Sequence, residues 1–136
     1  MKALLLAVLL GSAVLSAAGN DFKLKADPRI GQSPQDFHIQ ATIEPKDANR
    51  SACVIVDGPT YRSTCWELHP TDRRVWDFWL KGFRGGRYDV VLVVVRLVDG
   101  QRVELHTPAQ SICVIGSLTE GDVSCGVETG GAGLQD

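Results

Sequence analysis

Tyr88-Asp89-Val90-Val91-Leu92-Val93-Val94-Val95-Arg96-Leu97-Val98, then Asp99-Gly100, then Gln101-Arg102-Val103-Glu104-Leu105-His106, is the stretch on which the fold turns. The first run is long and rich in β-branched residues, which suit a pleated, half-buried strand. Asp-Gly is a favoured pair for a two-residue type I′ hairpin, because both central positions need a positive φ. A turn placed there sets Val94 opposite Leu105 and Arg96 opposite Val103. On the other face it sets Val93 opposite His106, Val95 opposite Glu104 and Leu97 opposite Arg102. Val103 and Leu105 are the apolar positions of the second strand. The face they share with Tyr88, Val90, Leu92 and Val94 is therefore the core face.

The opposite face ought to be solvated, yet it carries Val91, Val93, Val95 and Leu97. Either the strand is central and covered on both sides by its own chain, or this apolar stripe meets a partner or a second copy. The stripe, with Trp79, is the candidate interaction surface.

Working outward, Phe37, Ile39, Ala41 and Ile43 alternate with polar residues until Pro45, the period of a half-buried strand. Residues 51–56, 61–68, 74–80, 102–107 and 111–115 also read as strands, and no window has a helical period. Six or seven short strands with turn residues between them predict an antiparallel sandwich. In the aromatic segment, alternation places Trp76, Phe78 and Leu80 on the core side and Trp79 with Val75 and Asp77 on the other.

The ends read differently. Lys2, the apolar run Ala3 to Leu10 and Ser16-Ala17-Ala18 have the layout of a secretory signal peptide over residues 1–18. Residues 19–27 are expected to be a flexible lead-in, 28–116 the sandwich and 117–136 a disulfide-tethered, Gly-rich tail. The expected location is the bacterial periplasm or the extracellular space, with no membrane contact after cleavage. Removing Lys2 leaves 13 basic against 16 acidic residues, a balance that does not call for nucleic acid.

Cys53, Cys65, Cys113 and Cys125 are an even set in an exported chain, which reads as two disulfides. Four cysteines allow three pairings. Cys53 and Cys65 stand symmetrically about the turn signal Asp57-Gly58-Pro59-Thr60, so 53–65 and 113–125 are the preferred pairs.

Ahead of the valine strand stands Phe83-Arg84-Gly85-Gly86-Arg87-Tyr88. Together with that strand and Asp99-Gly100, it resembles the E–F corner and F–G hairpin of immunoglobulin-like and fibronectin-type-III-like domains. Bacterial domains of this kind are the closer likeness, since Val90 stands where an antibody domain has a cysteine. The resemblance covers residues 28–116. It implies an all-β, antiparallel two-sheet sandwich of about seven strands. It also implies that Tyr88 is a structural corner whose hydroxyl bonds back to nearby backbone. Such modules mostly bind, space or assemble, and their fold hosts many functions.

Catalytic patterns are absent from the sequence. There is no Gly-x-Ser-x-Gly elbow, and His38, His69 and His106 lie on separate segments. No catalytic residue, metal ligand or cofactor is expected, and the chain is expected not to be an enzyme. The expected function is that of a non-catalytic, exported protein-interaction or assembly module, with an unknown protein partner or self-association. One alternative is an exported enzyme inhibitor presenting residues 69–73 or the 113–125 loop. The other is a small carbohydrate-binding module using Trp79 and Tyr61.

Overall fold

The computed structural model describes residues 21–116. The expected signal peptide, the tail and Cys125 lie outside the described residues. Within them the chain is all-β, with nine strands in two sheets and no helix. The smaller sheet has the order β1 (Phe22–Asp27), β3 (Gln35–Ile43), β6 (Val75–Phe83). The larger has the order β2 (Ile30–Gln32), β9 (Gln110–Ile115), β7 (Gly86–Val98), β4 (Asn49–Asp57), β5 (Arg62–Glu67). In that sheet β8 (Gln101–His106) also pairs with β7.

The expectation of about seven strands is corrected to nine. The two additions lie before residue 35. Phe22–Asp27, expected to be lead-in, pairs along its whole length with β3, and β2 runs parallel to β9. Their sequence signal is weak because both strands are short and β1 alternates lysines with only three apolar residues.

Period-two alternation builds the core. Phe37, Ile39, Ala41 and Ile43 of β3 are buried on the inner face of the small sheet. Val54, Val56, Tyr88, Val90, Leu92, Val94, Ile112 and Val114 meet them from the large sheet. Each large aliphatic or aromatic side chain taken from water contributes roughly 1.5–3 kcal/mol. The hairpin register agrees with the expectation, pair for pair from Val93↔His106 to Val98↔Gln101. Asp99 and Gly100 have φ of 53° and 80°, as a type I′ turn requires.

β7 is 13 residues long and serves two neighbours on one side. Its first residues pair with β9 and its last with β8, while β4 covers the other side. The strand is therefore central. Of the outer stripe, Val93 and Val95 are buried and Val91 and Leu97 half-buried. Val93 lies between Cys53 and His106, and Val95 between Ser51 and Glu104.

Of the two expected disulfides, the 113–125 pair involves Cys125, outside the described residues, and Cys113 itself is disulfide-bonded. Among the described residues one bridge is complete, Cys53–Cys65, joining directly opposed residues of β4 and β5 with Cα atoms 4.0 Å apart. It lies on the outer face. Trp66 turns inward instead of packing on it, and meets Trp76 and Phe78 of the other sheet at ring distances of 5.5 and 5.7 Å.

Candidate acid–base site on the three-stranded sheet

The outer face of the small sheet is polar because the same alternation that buries Phe37, Ile39 and Ala41 turns their neighbours out. Antiparallel pairing sets Asp27, His38 and Trp79 in one row across the three strands. The next row is Lys25, Gln40 and Asp77, and the third is Lys23, Thr42 and Val75. The three strands, two near in sequence and one distant, thus bring two lysines, two carboxylates, an imidazole and an indole to one surface.

His38 is held from two sides. Its Nε2 is hydrogen-bonded to Asp77 Oδ1, and its ring lies 4.8 Å from that of Trp79. A carboxylate acceptor keeps the proton on Nε2, which leaves Nδ1 as the basic nitrogen of the neutral ring. The side chain of His38 is 29% accessible and that of Asp77 52%, so the pair can be reached from solvent. A shallow depression of about 240 Å³, lined by Lys23, Lys25, Gln40 and Thr42, adjoins it. Among the described residues neither lysine has an ion-pair partner.

The other histidines are separate. His69 closes a turn in which its amide donates to Asp72 Oδ2 at 2.7 Å, and His106 lies 4.0 Å from Glu104. No group of three or more His, Cys, Asp or Glu able to hold a metal occurs among the described residues. Trp79 and Tyr61 are both well exposed, at 58% and 60%, but Trp79 is in β6 of the small sheet and Tyr61 in the connection that leads into β5. Tyr88 is fully buried, and its hydroxyl donates to the Arg84 carbonyl at 2.8 Å.

A second polar cluster has a structural role. Arg96 lies on the core face of β7 and is buried. Its Nε donates to Asn49 Oδ1 at 2.7 Å and its Nη2 to Asp21 Oδ2 at 2.6 Å. Lys46 Nζ reaches the same Asp21 oxygen at 2.8 Å. Burial works to raise the Asp21 carboxyl. The hydrogen bonds and positive charges of Lys46 and Arg96 outweigh it and hold the carboxyl below the usual carboxylate range.

No family model matches the chain, and no curated protein does. A similar solved structure is a superoxide reductase (neelaredoxin) from Ignicoccus hospitalis, with 16% identity and a TM-score of 0.43. The match covers 69% of this chain and 81% of that one.

The expectation of a non-catalytic module that is not an enzyme is corrected by this finding, since the solved structure found similar is itself named as an enzyme. Of the surface that motivated the binding role, Val93 and Val95 are buried, Val91 and Leu97 half-buried and Trp79 exposed.

The sequence placed His38 on a polar face and Asp77 beside Trp79, but did not join them. They are 39 residues apart, and the cross-strand register that unites them depends on which strands become neighbours.

Proposed function

We propose that the outer face of the three-stranded sheet is a proton-transfer site for a small anionic molecule. His38 acts as the base, through Nδ1. Asp77 is its positioning residue, fixing the tautomer and stabilising the imidazolium once the proton is taken. Lys23 and Lys25 supply the charge that draws the anion to the face. Trp79 shields one side of the imidazole and offers a flat surface for an unsaturated or ring-shaped group. The observation that carries this reading is the hold on His38 by Asp77 and Trp79 beside two unpaired lysines.

A chromogenic aryl ester carrying a free carboxylate tests it, against a neutral ester of the same leaving group. The anionic ester is hydrolysed faster by the protein, and His38→Gln loses at least about tenfold of that rate, within the span of general base catalysis. Equal rates for wild type and His38→Gln would sink the reading.

The export expected from residues 1–18 remains part of this proposal. It is supported by the Cys53–Cys65 bridge, which persists in oxidising compartments. A mature amino terminus at or near residue 19, measured on protein from its own cells, is the expected result. The immunoglobulin-like or fibronectin-like lineage likewise rests on the Tyr88 corner.

A further inference from the structure

β6 is an edge. In the order β1-β3-β6, it pairs on one side with β3, and no described strand pairs with the other side. At nine residues it is long for an open edge and contains no proline. Edges of this kind present a row of unsatisfied amide and carbonyl groups that template a further strand.

Which groups face outward follows from one bond. The Ile43 amide donates to the Arg74 carbonyl at 2.8 Å, so that pair is a hydrogen-bonded one. Stepping by two, Trp76, Phe78 and Leu80 turn their backbone groups to β3. Val75, Asp77, Trp79 and Lys81 turn theirs to the open edge. Their side chains all lie on the outer face and all are exposed.

We propose that β6 pairs antiparallel with β6 of a second copy, about a two-fold axis at Trp79. Trp79 is the central residue of Val75–Phe83, and the irregularity at Gly82, where the β3 register shifts, confines the regular overlap to the segment from Asp77 to Lys81. It sets Trp79 against Trp79 of the other copy. It also sets Asp77 against Lys81 and, by symmetry, Lys81 against Asp77. Opposite charges directly across an antiparallel pair stabilise it, and like charges destabilise it. Sliding the axis to Asp77 would set Asp77 against itself. The charge match therefore selects the register centred on Trp79. The intramolecular alternative for Lys81, Asp36, is 3.9 Å away, and Lys81 stays 74% accessible. The interface is isologous, joins two three-stranded sheets into one of six, and leaves no free copy of this edge.

Charge reversal tests it. Light scattering on the purified protein gives twice the chain mass at rising concentration. Asp77→Lys places only lysines on the edge, Lys81→Asp places only aspartates, and each variant alone is a monomer. Mixed one to one, the two recover the dimer, because every cross-strand pair is again opposite. In the wild type, amide exchange at Asp77 and Trp79 slows as concentration rises, a readout that needs no variant. A wild type that stays monomeric with edge amides unprotected, single variants that remain dimeric, or a mixture that fails to re-form the dimer overturns the proposal.

Discussion

The hydroxyl of Tyr88 donates to the carbonyl of Arg84, four residues back and 2.8 Å away, from a side chain with no solvent exposure. The bond ties the entry of β7 to the turn that leaves β6, and so fixes where the longest strand begins. Phe37 and Phe83 flank the ring edge-on at 5.6 and 5.2 Å. Tyr88→Phe keeps that packing and removes one bond. It is expected to destabilise the domain by about 1 kcal/mol, and up to about 3 if the freed carbonyl stays dry. Urea unfolding with an unchanged m-value measures it.

Gly86 opens β7 with φ of 145°, and a Cβ there would stand 2.3 Å from Pro59 Cγ. Gly86→Ala therefore meets both backbone strain and a collision with the Gly58-Pro59 turn. The expected cost exceeds about 1 kcal/mol, in contrast to the gain that Gly→Ala brings where φ is negative. Thermal unfolding of the variant beside wild type checks the sign.

The Cys53–Cys65 bridge closes the β4–β5 hairpin on the outer face, where it touches no core side chain of the opposite sheet. Replacing both cysteines with alanine removes a short loop constraint, expected to cost about 2–3 kcal/mol. The fold is expected to survive, because Ala52, Val54 and Val56 remain buried beneath.

Asp21 links stability to pH. Its folded carboxyl titrates below its ordinary value of 3.8. The stabilisation is thus fully present above that value and is lost as pH falls through the lower folded value. Asp21→Asn is expected to lower stability at neutral pH by about 1–3 kcal/mol, the scale of a hydrogen bond to a charged group. It should also flatten the acid limb of the stability curve below about pH 4. An unchanged acid limb would show that other carboxylates dominate it.

Much of the fold was legible in short stretches. The Asp99-Gly100 turn set the register of β7 and β8, since a two-residue hairpin permits one pairing and the apolar positions of both strands agree with it. Alternation from Phe37 to Ile43 named one wall of the core. The candidate site was legible only in fragments. His38, Asp77 and Trp79 each fell on an outward face, and nothing local to any of them said that β3 and β6 lie side by side.

Turn chemistry and the period of two act within a few residues, so they decided the strands, their faces and the hairpins. Lateral order is decided by how distant segments share one core, and only the folded chain decides it. That is why Phe22–Asp27 became a strand on the strength of β3 beside it, and why Arg96 could be buried: Asp21, 75 residues away, arrives to meet it. It is also why Val93 and Val95 are buried in a central strand, while β6 keeps an open edge among the described strands.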